Sequence, residues 1–329
     1  MSKRKNRLTV EEYVQGILSG DMVILSRAIT LVESSLVEDN LLAQQVIEQI
    51  LPNTGNSIRV GITGVPGVGK STFIEAIGQQ ITSQNKKLAV LAIDPSSQRT
   101  GGSIMGDKTR MDVLSNDQMA YIRPSASGDT LGGVANKTRE AMLLCEAAGF
   151  EVIFIETVGV GQSEVAVNGM VDFFLLLMLA GAGDELQGIK KGIMEMADGI
   201  AITKADKDNI NAAKSAKVAY QNALHLFPAT TTGWIPKILT CSAVDQTGLD
   251  NVWKMITDHH NFHQEKGVFT SLRKKQNIEW MHQIIEEQLK RSFYGNDKVR
   301  TKIDQISKDV ENMTVSPANA ADDLLNDFR

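Results

Sequence analysis

At 329 residues, with 42% apolar and 22% charged side chains, the chain can hold one large domain or two modest ones of ordinary globular makeup. A formal net charge of −5 gives no overall electrostatic case for nucleic acid. Its longest apolar strand-like run, residues 173–180, falls well short of the about 20 residues a membrane-spanning helix needs, so no membrane role is expected.

The opening Ser2-Lys3-Arg4-Lys5-Asn6-Arg7 is basic but short, and no apolar stretch follows it. It reads as a solvated end and not as a secretory signal. Cys145 and Cys241 are far apart and form no metal or redox motif, which suits reduced core thiols in a cytoplasmic protein. Residues 1–56 read as helical. Thr9 with Glu12 forms a capping box, and Ser19-Gly20-Asp21 then breaks the chain and offers a new cap. Ile24, Ala28, Leu31 and Val32 keep helical spacing, and Pro52-Asn53-Thr54-Gly55 closes the region with turn chemistry.

From residue 57 to 258 the pattern changes. Short apolar runs at 58–63, 88–93, 119–122, 152–157, 173–179, 199–203 and 237–240 alternate with helical stretches. Such runs, buried on both faces and separated by helices, predict an α/β domain with a mostly parallel central sheet. After residue 258 the strands stop, and 259–329 reads as helical. Ile278, Met281, Ile285 and Leu289 make a stripe there, widened by Trp280 and Ile284, that needs a partner surface. His259 and His263 form an i, i+4 pair beside His260 with no third metal ligand nearby in sequence, so all three are expected as exposed polar residues.

Gly64-Val65-Pro66-Gly67-Val68-Gly69-Lys70-Ser71 matches G-x-x-x-x-G-K-[ST] in full, directly after the first strand and before a helix. Glycines let successive amides turn inward around phosphates, and the helix start adds partial positive charge. Lys70 can reach the β and γ phosphates, and the Ser71 hydroxyl is a candidate magnesium ligand; Thr72 continues the loop. Magnesium wants hard oxygens, and carboxylates at strand ends supply them. Asp94, Asp107 and Glu156 are the candidates, each with a capping or surface role as its plainer alternative. Gly159 and Gly161 follow Glu156 in what reads as a switch loop, where Gln162 or Glu156 would orient the attacking water.

Thr203-Lys204-Ala205-Asp206 follows an apolar strand. A carboxylate at Asp206 can accept from guanine N1 and N2, a donor pair that adenine lacks, whereas the plainer reading makes Asp206 a helix cap. The Lys204 stem can cover the base plane, and Ser242-Ala243-Val244 can offer an amide to guanine O6. The expected ligands are therefore GTP or GDP with Mg2+.

The phosphate loop, Asp94-Pro95-Ser96-Ser97, Thr100-Gly101-Gly102-Ser103, Gly106-Asp107-Lys108-Thr109-Arg110-Met111, the run from Glu156 to Glu164 and the run from Gly181 to Gly192 together resemble the methylmalonyl-CoA mutase-associated G proteins. This ArgK/MeaB family is also filed under an older label as arginine/ornithine transport ATPases. The resemblance implies a P-loop NTPase fold and a homodimeric GTPase joined through its C-terminal helices. Such a protein serves an adenosylcobalamin-dependent acyl-CoA mutase, gating cofactor loading and protecting the enzyme. It also implies that Glu156, Asp94 and Asp107 serve magnesium and switching, and that residues 181–191 form an extra switch. Lys190 in that switch is a candidate catalytic cation beside Lys70, Glu156 and Gln162. A nucleotide hydrolase or kinase serving arginine, ornithine or lysine transport is the alternative. One departure stands out: the family usually carries Asn-Lys-x-Asp, and this chain has Thr203 in place of the Asn.

Overall fold

A computed structural model describes residues 7–93, 111–124, 131–157, 163–180, 191–224 and 232–328. Two compact units emerge, Met1–Lys274 and Lys275–Arg329. The first opens with helices α1 (Val10–Leu18), α2 (Met22–Glu33) and α3 (Val37–Ile50). Thr9 and Glu12 close the reciprocal capping box on α1, and Asp21 caps α2 through the amides of Val23 and Ile24. Ala28, Leu31 and Val32 are buried as the spacing predicts.

Next come β1 (Ile58–Gly64), α4 (Lys70–Thr82), β2 (Leu88–Ile93), α5 (Asp112–Ser115), β3 (Ala120–Arg123), α6 (Leu131–Ala147), β4 (Val152–Thr157) and α7 (Ser163–Asn168). They are followed by β5 (Phe173–Leu179), α8 (Lys191–Met196), β6 (Gly199–Thr203), α9 (Ile210–Leu224), β7 (Lys237–Thr240) and α10 (Leu249–Glu265). The seven strands form one sheet in the order β3-β2-β4-β1-β5-β6-β7, every neighbouring pair parallel. Strand β2 is buried along its whole length and β5 in all but its last residue, which explains why the sequence shows continuous apolar runs there and not alternation. The sequence places the third strand at 119–122; the structure shifts it by one residue, because Asp117 Oδ1 takes the Met119 amide into the preceding turn.

Crossover connections put the carboxyl ends of all seven strands on one edge, where open α/β sheets bind ligands. At the opposite edge, buried charges tie the strand starts together. Arg59 donates to both oxygens of Glu146 at 2.8 Å, and Arg273 donates to both oxygens of Asp172 at 2.9 and 2.7 Å. Ser57 and the Gly55 amide also bond Glu146, and the Arg273 guanidinium takes the Gly55 and Ser57 carbonyls. Burial works to raise the Glu146 carboxyl, but the Arg59 hydrogen bond and charge hold it below its ordinary value.

Helices α11 (Val268–Gly295), α12 (Asp297–Glu311) and α13 (Pro317–Phe328) complete the chain. Within the second unit, Phe293 stacks edge-on to Phe328 and Lys302 pairs with Asp327 at 2.7 Å. Ile278, Met281, Ile285 and Leu289 are all exposed there. One expectation is overturned. His259 and His263 are 1% and 3% exposed, because the aromatic residues Phe173 and Trp234, distant in sequence, close over them.

Candidate nucleotide site

The phosphate loop leaves β1 at Gly64, and its shape is imposed by backbone crowding. A Cβ on Gly64 would lie 2.6 Å from the Leu177 carbonyl oxygen of β5, so no side chain fits. Gly67 and Gly69 have φ of +78° and +88°, the left-handed region that favours glycine. Gly69 is also the N-cap of α4 and offers no side chain to its first-turn amides, which leaves them oriented toward an anion. Lys70 Nζ donates to the Gly64 carbonyl at 3.0 Å, folding back over the loop it follows. Ser71 Oγ, in the first turn of α4, lies 3.5 Å from Glu156 Oε1 near the end of β4. Glu156 is 4% exposed, and next to it Thr157 donates to Thr63 at 2.8 Å, stitching β4 to β1.

A second cluster sits beyond β6. Thr203 is 4% exposed, and its Oγ1 donates to the Val68 carbonyl at 2.7 Å, with the Met178 carbonyl at 3.3 Å. Lys204, at a φ of +55°, sends its Nζ to the Gly67 carbonyl at 2.8 Å. Two consecutive residues therefore grip two carbonyls of the phosphate loop. Asp206 stands at the N-cap position of the short 3-10 turn Lys207–Asn209, yet its side chain caps nothing there. Instead Asp206 Oδ2 accepts from Ser242 Oγ at 2.6 Å, and Ser242 Oγ also accepts the Asp245 amide at 3.1 Å. The Ser242 and Thr247 backbones exchange both hydrogen bonds, at 2.9 and 3.0 Å, so the loop carrying Ala243 and Val244 is pinned at its base. A half-buried carboxylate is thus turned away from the helix-cap role and oriented by a serine.

Residues 25–298 match the family described as methylmalonyl Co-A mutase-associated GTPase MeaB. The chain belongs to that family. It is a P-loop GTPase, and the relatives agree along nearly all of its length. The GTPase ArgK of Escherichia coli strain K12 is 44% identical over 95% of this chain and 94% of its own. A mouse protein described as methylmalonic aciduria type A homolog, mitochondrial, is 42% identical over 99% of this chain and 81% of its own. A solved structure described as an LAO/AO transport system kinase superposes with a TM-score of 0.78 at 37% identity, covering 98% of both chains.

Among the predicted site residues, the structure brings Gly64, Val65, Pro66, Gly67, Val68, Gly69, Lys70, Ser71 and Thr72 together with Glu156, Lys204 and Asp206 at the carboxyl edge of the sheet. Ser242, Ala243 and Val244 follow β7 at the same edge. Asp94, Asp107, Gln162, Lys190, Gly159, Gly161 and most of the 181–191 loop lie outside the described residues. The Ser71 hydroxyl and the Glu156 carboxylate are hard oxygen donors of the kind magnesium takes. Their 3.5 Å separation is near the about 3 Å between neighbouring oxygens of an octahedral magnesium shell.

Two participants escape sequence reasoning. Thr203 reads only as a departure from Asn; that its hydroxyl reaches the phosphate loop 135 positions away is a tertiary fact. Glu75 on α4 accepts the Val113 and Leu114 amides at 2.9 and 3.1 Å, capping α5 from outside, since α5 has no side-chain cap of its own. No local motif announces a cap supplied from another helix. Cys241, just before Ser242, is buried, and burial pushes its thiol up to about 12, so it stays an unreactive neighbour of Ser242.

Proposed function

We propose that this chain is a guanine-nucleotide switch that assists an adenosylcobalamin-dependent acyl-CoA mutase, gating cofactor loading and protecting the enzyme from inactivation. The observation that carries the nucleotide half of this reading is the Asp206–Ser242 bond at 2.6 Å. It presents an oriented carboxylate beside a phosphate loop that Thr203 and Lys204 hold from the same strand end. Guanine satisfies that carboxylate with two N–H donors, and adenine leaves it short by about 1–3 kcal/mol. The amides from Gly67 to Ser71 cradle the phosphates. Lys70 exchanges its bond to the Gly64 carbonyl for the β and γ oxygens.

Ser71 and Glu156 would hold magnesium, with Asp94 and Asp107 as further candidate acids; when bound, the ion offsets charge on the phosphates. Glu156 or Gln162 orients the attacking water, and Lys190 adds positive charge as the reaction proceeds. Hydrolysis by the lone protein is slow, and the mutase raises it by completing the charge clamp through residues 181–191. Two copies pair through the 259–329 region, a reading supported by the exposed apolar residues Ile278, Met281, Ile285 and Leu289. The protein acts in the cytoplasm; among the described residues no helix is long and apolar enough to cross a membrane.

The mutase half rests on membership of a family described as mutase-associated. The description of the solved relative as a transport system kinase motivates a rival, an ATP-consuming protein serving amino-acid uptake. Turnover of GTP and ATP, measured alone and with methylmalonyl-CoA mutase, separates the two. GTP preference with stimulation by the mutase is expected. Faster ATP turnover rejects the guanine reading, and GTP turnover indifferent to the mutase rejects the client.

A further inference from the structure

Helix α10 begins one residue after the loop that orients Asp206, and its buried face is Leu249, Val252, Trp253, Met255, Ile256, His259 and His263. The last two members are imidazoles in a pocket that offers them almost nothing to bond. Their rings meet edge to face, centroids 4.0 Å apart. Phe173 at 5.0 Å and Trp234 at 4.9 Å stand edge-on to His259, and Phe262 lies at 5.6 Å from His263. Neither ring nitrogen of His263, nor Nε2 of His259, has a hydrogen-bond partner among the described residues. Buried polar atoms without partners are rare in native proteins, and each calls for an explanation.

The surrounding charges do not prepare a place for a proton on His263. Asp198, in the turn before β6, has Oδ1 at 3.7 Å from His259 Nε2, beyond hydrogen-bond reach, while its Oδ2 accepts the Phe174 amide at 2.8 Å. Trp234 holds the Asp198 backbone carbonyl at 2.8 Å. Asp172, at the head of β5, is taken by Arg273 and the Arg59 amide. Asp258, on α10 itself, is paired with Lys254 and Lys237. The remaining charges are cations: Lys266 lies over Phe262 at 4.2 Å, Lys237 over Trp234 at 5.2 Å and Lys86 over Trp253 at 6.0 Å. Neighbouring His260 is half-buried against Phe269. A proton on His263 therefore adds a charge and a second unpaired donor inside an aromatic box, where burial and His259 outweigh the favourable charges of Asp198 and Asp172.

We propose that the His259–His263 pair is an acid-sensitive lock, holding the last two turns of α10 on the sheet only while His263 is neutral. Burial, followed by the proximity of His259, holds the His263 imidazole below its ordinary range, and burial does the same for His260. For a group depressed on folding, the unfolded chain takes up the proton first. Stability is then full above about pH 6.5 and is lost as pH falls from there toward the folded value. No nucleotide enters this inference, so it stands or falls apart from the proposed function.

Hydrogen exchange read by mass spectrometry on the full chain, corrected for the intrinsic rate at each pH, tests it. Between about pH 7.5 and about pH 5.5, protection of residues 257–265 should fall severalfold, up to the about tenfold that one proton allows, while the β1 and β4 amides keep theirs. His263→Phe, which fits the aromatic box and cannot take a proton, should abolish that fall. An equal fall in the variant, or unchanged protection in the native chain, overturns the proposal. Should the variant fold poorly, imidazole NMR of the native chain decides: uptake by His263 only well below about pH 6.5, coincident with loss of α10 protection, supports the lock. Uptake near that value with protection intact overturns it.

Discussion

Replacing Thr203 by Val removes one hydroxyl while keeping shape and β-branching, so it isolates the bond to the phosphate loop. Thr203 is 4% exposed and its hydroxyl donates to the Val68 carbonyl at 2.7 Å, and Val68 itself is fully buried. Its loss leaves a buried carbonyl without that donor and places a methyl group against it, a change costing about 1–3 kcal/mol. Part of that cost appears as lower stability. The rest appears as weaker nucleotide binding, since the loosened loop must be ordered by the ligand, and the full range corresponds to about 5- to 150-fold in affinity. Titration of a fluorescent GDP analogue, with urea unfolding in parallel, reads both parts. Thr203→Ser keeps the donor and should stay within about threefold of the native chain. If Thr203→Val bound GDP as tightly as the native protein and unfolded at the same urea concentration, the hydroxyl would not be the clamp the geometry describes.

Asp206→Asn replaces one acceptor oxygen by a donor facing the base. GTP preference over ATP should narrow by about 5- to 150-fold in competition binding, and undiminished preference would place base reading elsewhere. Arg273→Ala strips the guanidinium from Asp172, which is 5% exposed, and should lower stability to urea by about 3–5 kcal/mol; a loss below about 1 kcal/mol would mean the buried charges are not coupled as drawn. Glu140 behaves in the opposite sense. Burial pushes its carboxyl from 4.5 to about 7, with Lys137 opposing, so the folded state holds a proton the unfolded chain releases. Stability is lost as pH rises through that window, by up to about 3 kcal/mol above about pH 7. Glu140→Gln should therefore stabilise the protein at about pH 8 and change little at about pH 4; equal urea midpoints at both would remove the argument.

The sheet was legible because a strand buried on both faces must be largely apolar, and residues 88–93, 152–155 and 173–179 are wholly so. The phosphate loop was legible because its chemistry is local: glycine conformations, a helix start and a Lys-Ser pair within eight residues. Asp206 was legible as an acid after a strand, although only the structure shows that Ser242 and not a helix amide engages it. What escaped depends on partners distant in sequence. The histidines of α10 have the spacing of a surface polar pair, and nothing local announces Phe173, 86 positions before His259. Glu75 looks like an ordinary helix-surface acid until α5 returns to it.

Thr203 also shows that the departure from Asn leaves the end of β6 tied to the phosphate loop. The position has two separable tasks: to end β6 in register with β5, and to reach the phosphate loop. The first is met by the Leu179↔Thr203 pairing, and a β-branched residue suits a strand end. The second needs a single donor near the Val68 carbonyl, and a hydroxyl at 2.7 Å supplies it without the longer amide. Lys204 then adds the Gly67 carbonyl, so the strand end that carries Asp206 two residues later is fixed to the loop that faces the phosphates. Under the proposed function, base reading and phosphate binding would both depend on those two carbonyls. On that reading, a change at either end should be felt at the other, and double-mutant cycles across Thr203 and Asp206 should be non-additive.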